Sequence, residues 1–243
     1  MLNSPEDLDS ITAKEPGFSL TKNHLKGLGI LGGSIALAYL FRENFPEWIE
    51  YFREKLPWIT DEQVSLTIDV VANSIMAPVG FVMSGYANDK KINRKELAGQ
   101  FAFAAVWGAV RHYFYQGLSH YDNPVTAENV AKKTAWFMPY TLFYANLYMA
   151  YSYVLSEMTE KGAKLSEAVR KLKGKFAQKS KELMQNGQIW VNTALHLANL
   201  YVNPMVESRP TVSAALLIHY NLNVIKHSHE RSQGLWDYAK GIF

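Results

Sequence analysis

Residues 134–156, TAWFMPYTLFYANLYMAYSYVLS, run for 23 positions without a charged side chain. A helix rises about 1.5 Å per residue, so such a run crosses the roughly 30 Å of hydrocarbon in a bilayer. Two more uncharged runs accompany it, 70–88 with 19 residues and 186–206 with 21. Shorter apolar stretches at 27–41, 97–110 and 210–225 suit buried core helices as well as spans. The whole-chain averages conceal these blocks, because 48% hydrophobic residues and a mean hydropathy of −0.14 also fit a soluble helical protein. The expectation is an all-α fold, a transmembrane helix bundle of four to five spans with a possible further N-terminal one.

Charge falls on alternate connections. The loop at 89–96 carries Lys90, Lys91, Arg94 and Lys95, and 157–187 holds eight Lys or Arg against four Glu. Residues 42–62 have more acid than base, and the turn at 120–130 carries Asp122 and Glu128 with no Lys or Arg. Counting crossings puts the basic connections on one side and the acidic ones on the other, the positive-inside pattern. The competing reading is a soluble bundle with solvated charged faces. The spans predicted from these anchors are 64–86, 96–118, 131–156, 189–203 and 210–226, with Pro78 breaking one backbone bond and kinking the first. Asp69 lies near the start of that first span. Tyr113, Phe114 and Tyr115, then Tyr148, Tyr151 and Tyr153, fall at predicted membrane interfaces.

Two helices are expected on the membrane surface. Phe45, Trp48, Ile49, Phe52 and Leu56 recur at helical spacing beside Glu47, Glu50, Arg53 and Glu54, and Leu165, Val169, Leu172 and Phe176 repeat the pattern among lysines. Packing on a partner subunit explains either pattern equally well. The domain reading is an N-terminal extension at 1–61, a transmembrane domain at 62–228 and a tail at 229–243. The polar, acidic start MLNSPEDLDS is neither a secretory signal nor an Arg-rich transit peptide. Gly27, Gly29 and Gly32 match GxGxxG by letter only, since no strand precedes them, while Gly29 and Gly33 are spaced for close helix contact.

Enzyme chemistry finds little support. The chain has no cysteine, which excludes disulfides, thiol nucleophiles and Cys-ligated metals. No HExxH, GxSxG or P-loop pattern occurs, and His196 and His219 sit in apolar runs where interhelical hydrogen bonds account for them. No catalytic residue, metal site or cofactor is therefore expected. A net charge of +3 that follows membrane topology does not indicate nucleic acid. The stretch GAVRHYFYQGL at 108–118 draws attention instead, because it keeps an arginine and a histidine in an apolar segment, where ionisable groups face other helices or a polar cavity.

The run HLANLYVNPMVESR, followed by Tyr220 and Asn221, resembles the late signature of the Mpv-seventeen and peroxisomal-membrane-protein family, roughly WPxxQxxNFxxVPxxxR and then WN. Asn199, Pro204, Arg209, Tyr220 and Asn221 take the corresponding places. Gly108, His112, Tyr115 and Leu118 fall where that family has GPxxHxWYxxL. The chain departs from the family where GDxxxQ would fall on Gly80, Phe81 and Gly85, where an AspGln pair becomes Lys133 and Thr134, and where WPxxQ becomes Asn192, Thr193 and His196.

The resemblance implies a multi-span protein of the mitochondrial inner membrane or, alternatively, the peroxisomal membrane, in a family linked to weakly selective channel activity. The first functional expectation is a channel or metabolite pore lined by a polar cluster of Asp69, Arg111, His112, Tyr115, Gln116 and Asn199. Arg111 would attract anions, and a histidine at 112 gives passage a response to pH near neutrality. The plain alternative for these residues is an interhelical hydrogen-bond cluster. The second expectation is a non-catalytic accessory subunit of a larger inner-membrane respiratory complex, motivated by the lost acid and amides. The expected partners are the lipid bilayer and either further copies of the chain or other subunits. The chain ends in GlyIlePhe, not a peroxisomal tripeptide, which favours the mitochondrion.

Overall fold

The computed structural model of the chain describes residues 22–87, 92–185 and 187–229. Seven α-helices and no strand occur among them: α1 (Lys22–Lys55), α2 (Asp61–Ala87), α3 (Arg94–Ser119), α4 (Ala127–Thr159), α5 (Leu165–Met184), α6 (Gly187–Val202) and α7 (Arg209–His229). A short 3-10 turn, Val206–Ser208, leads into α7. Lys90 and Lys91 of the basic loop, the polar first residues and the tail from 230 onward lie outside the described residues.

Local signals fix where helices begin and end. Thr60 and Gln63 cap α2 reciprocally, with N–H to side-chain oxygen distances of 3.0 and 3.3 Å. Asp61 and Glu62 follow in the first turn, where acid suits the positive end of the helix. Asn93 accepts from the Lys95 N–H at 2.9 Å to open α3, and Thr126 accepts from the Asn129 N–H at 3.2 Å to open α4. Beyond α4, Gly162 takes a φ of 66°, which lets the Ala163 N–H reach back to the Glu157 carbonyl.

α7 forms the axis of the bundle. Every side chain from Ser208 to Leu222 is buried. α1 and α2 close one flank, with Ile30, Ala72 and Met76 against Ala214, Ile218 and Leu222. α3 and α4 close the other through an aromatic core in which Trp107, Tyr144 and Tyr148 meet Phe81 and Tyr220. The connections α1–α2, α3–α4 and α6–α7 gather at one end, while α5 lies across the opposite end and ties to α4 through Lys171 and Glu157 at 3.1 Å.

Two expectations about the N-terminal region are corrected. The apolar stretch at 27–41 and the amphipathic stretch at 45–56 are one continuous helix of 34 residues that runs through Pro46. In the second stretch Phe45, Trp48, Ile49 and Phe52 pack with Val64 and Ile68 of α2 and with Met205, while Glu47, Glu50 and Glu54 stay exposed. That intramolecular apolar contact flanks the proline, past which the helix continues. Gly29 and Gly33, expected at a close helix contact, instead face open space, with nothing within 4 Å of a Cβ built on either.

Beside its apolar core the bundle buries polar side chains and leaves large apolar ones exposed. Large apolar side chains stand exposed around the waist: Tyr39 on α1, Ile75 on α2, Val106 on α3 and Trp136 and Phe143 on α4, all between 48% and 69% exposed. The interior, by contrast, holds Asp69, Gln100, Arg111, His112, Asn192 and Asn221, each no more than 3% exposed. Two of the described helices, Leu25–Lys55 and Asp61–Tyr86, are long and apolar enough to cross a membrane by length and composition. α6, with 16 residues, is about 24 Å long and shorter than a hydrocarbon core.

Candidate functional site

The site begins with a glycine. A Cβ built on Gly108 would lie 2.8 Å from the Val70 Cα and 3.1 Å from the Asp69 carbonyl oxygen, so only glycine lets α3 come this close to α2. His112 is one turn further along the same face. The close approach brings its Nδ1 to 2.6 Å from Asp69 Oδ2, with both side chains buried. The two groups share one proton in this contact, and where Asp69 is ionised it is Nδ1 that donates. The other carboxylate oxygen accepts from the Thr211 hydroxyl of α7, which fastens three helices at one buried acid.

A second knot lies beside the first. Ser213 of α7 meets the Tyr115 hydroxyl at 2.5 Å, His196 Nδ1 at 3.0 Å and Asn199 Nδ2 at 3.1 Å. Asn199 also donates to the Arg209 carbonyl at 2.9 Å. Asn203 continues the chain to the Ser208 hydroxyl at 2.9 Å. At the end of the bundle, Asp122 is held by Arg209 at 2.7 Å and by Lys133. The turn that carries acid alone in the sequence is thus neutralised from two neighbouring helix starts.

Two cavities frame these knots. A vestibule of about 890 Å³ opens among the end of α1, the start of α2, the end of α3 and the turn before α7. Glu50, Asp61, Glu62 and Glu207 line it, against Arg53, which pairs with Asp61 at 2.6 Å. His112 and Gln116 stand in its wall. On the other side of α3, one residue before His112, Arg111 lines a smaller enclosed space with Tyr115, Tyr140, Tyr144, His196 and Tyr220, which has room for about one water molecule. The Arg111 guanidinium also stands 5.8 Å from the centre of the Tyr144 ring.

Of the cluster expected from the sequence, the structure joins Asp69 to His112 and Tyr115 to Asn199 through Ser213. Arg111 sits between the two knots, and Gln116 belongs to the vestibule wall. Among the motif positions, Leu118 is buried beside Tyr115 and Phe137, and Pro204 is exposed next to the end of α6. Asn221 donates to the Ala77 carbonyl of α2 at 3.3 Å. A Cβ built on Gly80 would in turn lie 3.1 Å from the Ile218 Cα. Thr211, Ser213 and Asp122 are the members sequence reasoning missed, since a small hydroxyl in an apolar run and an acid in a turn carry no pattern. Among the described residues no group of three or more His, Cys, Asp or Glu is placed to hold a metal ion.

Compared with family models, curated proteins and solved structures, the chain matches none of them.

Proposed function

We propose that this chain is a multi-span membrane protein of the Mpv-seventeen type whose bundle forms a weakly selective pore for small polar solutes, held closed here by its two polar knots. The exposed apolar waist carries the reading. Apolar residues ring it while an acid, amides and an arginine are buried beside the apolar core, an arrangement that suits surroundings of lipid and costs a soluble protein a large exposed apolar surface. The vestibule supplies the entrance. Solute entering it meets four carboxylates and one paired arginine, so passage favours cations over anions. This revises the role expected for Arg111, which stands behind the entrance and does not line it. On the resemblance, the membrane is the mitochondrial inner membrane.

The test is solute release from proteoliposomes containing the full chain. Wild type is expected to release small cations faster than anions of equal size, and Glu62→Lys with Glu207→Lys, both exposed in the vestibule, is expected to reverse that preference. Release no faster than from empty vesicles contradicts the pore. A second reading, an accessory subunit of a larger respiratory assembly, draws on the aromatic core: Phe81 stands where the resembling family has an acid, and it packs with Tyr144 and Tyr220 against the route's further half. Comigration with a megadalton assembly on a native gel, without release activity, is the outcome that reading expects.

A further inference from the structure

The small cavity beside α3 holds an unusual set of groups. Arg111 is 3% exposed, and its Nε and Nη1 have no hydrogen-bond partner. The Tyr220 hydroxyl, in a side chain lining the same cavity, has none either, and the Tyr140 hydroxyl lies beside the Arg111 guanidinium and Trp107 without a well-formed hydrogen bond. A buried guanidinium whose neighbours are tyrosine rings and no carboxylate is costly, and each unmet buried donor adds to that cost. No carboxylate lies within ion-pair distance of Arg111 among the described residues, and none lines the cavity. The acid of the neighbouring knot, Asp69, has its oxygens engaged by His112 and Thr211.

We propose that this cavity is a binding site for a small monovalent anion of halide size, held by Arg111 Nε and Nη1 and by the Tyr140 and Tyr220 hydroxyls. Four potential donors belong to side chains that line the space. Water has only two acceptor sites, whereas a halide accepts from all sides and supplies the missing negative charge. Phe137, Leu217 and Tyr144 add apolar wall, and Tyr115, Thr141 and His196 complete the lining. The ion is resident, not cargo: it neutralises the buried arginine and ties α3, α4 and α7 together. This site stands on its own donors and does not depend on conduction.

The experiment is thermal unfolding of the full detergent-solubilised chain, followed by the fluorescence of its six tryptophans, in chloride or bromide against gluconate at constant ionic strength and pH. Gluconate is too large for a cavity that holds one water. The wild type is expected to gain stability saturably with halide. Tyr220→Phe and Tyr140→Phe each remove one hydroxyl and are expected to raise the half-saturating concentration about 10-fold, the loss of one hydrogen bond to a charged group. Arg111→Gln is expected to abolish the halide effect, and should it fail to fold, the two phenylalanine variants decide alone. Equal stability of wild type in halide and gluconate overturns the site and leaves water as its occupant. A halide effect of unchanged strength in both phenylalanine variants also overturns it, by placing the ion elsewhere.

Discussion

At the level of single residues, the structure turns on the contact between Gly108 and the backbone of α2. Gly108→Ala forces a carbon to 2.8 Å from the Val70 Cα, and backbone has nowhere to move cheaply. The variant is expected to lose about 1–3 kcal/mol of stability by thermal unfolding in detergent. Gly117→Ala, with nothing within 4 Å, is expected to hold or gain, by up to about 1 kcal/mol. Removal of the buried acid is more severe. Asp69→Ala is expected to cost about 2–5 kcal/mol because it leaves both the His112 ring nitrogen and the Thr211 hydroxyl unmet in the interior, against about 1 kcal/mol for Thr211→Val, which loses a single hydrogen bond. Equal losses in these two variants would show that the acid is not the keystone of the knot. Asp69 and His112 each stand out in the sequence as ionisable residues in apolar runs. Their pairing across 43 positions does not, since it depends on how closely α2 and α3 pack.

Among the helices, the uncharged runs located α2, α3, α4, α6 and α7 to within a few residues: the span expected at 96–118 is Arg94–Ser119, and that at 210–226 is Arg209–His229. Long uncharged stretches between charged connections leave few other ways to bury the chain. α1 was not legible in this way, because Pro46 reads as a break and the contacts that carry the helix past it come from α2 and Met205. α5 keeps the amphipathic character read from its sequence, with Leu165, Val169 and Phe176 exposed among lysines. It is fastened to α4 at Glu157. Lys161, and then Lys171, hold that carboxyl below its ordinary value of 4.5, against a burial that pushes it up. A depressed carboxyl stabilises the fold fully above the unfolded value and loses that contribution as pH falls through the folded one. Stability measured from pH 6 downward is therefore expected to drop below about pH 4.5 in wild type. Glu157→Gln is expected to be less stable at pH 6 and to show a shallower fall. Both lysines are largely exposed, so the effect is expected to shrink in high salt. A fall of the same depth in Glu157→Gln would assign it to other carboxyls.

For the molecule as a whole, the proposed membrane setting rests on the large apolar side chains exposed around the waist. In that setting the positive-inside pattern would put the α5 end, rich in lysine, on one side of the membrane and the acidic vestibule on the other. The absence of cysteine makes this directly testable, since a single introduced thiol reports only its own surroundings. The decisive measurement is labelling of single-cysteine variants in native membranes with a membrane-impermeant maleimide, before and after detergent. Val106→Cys and Phe143→Cys, at the exposed waist, are expected to resist labelling until the membrane is dissolved, while Glu207→Cys in the vestibule labels at once from one side only. Rapid labelling of the waist positions in intact membranes would contradict the account, because it would put water where the account puts lipid.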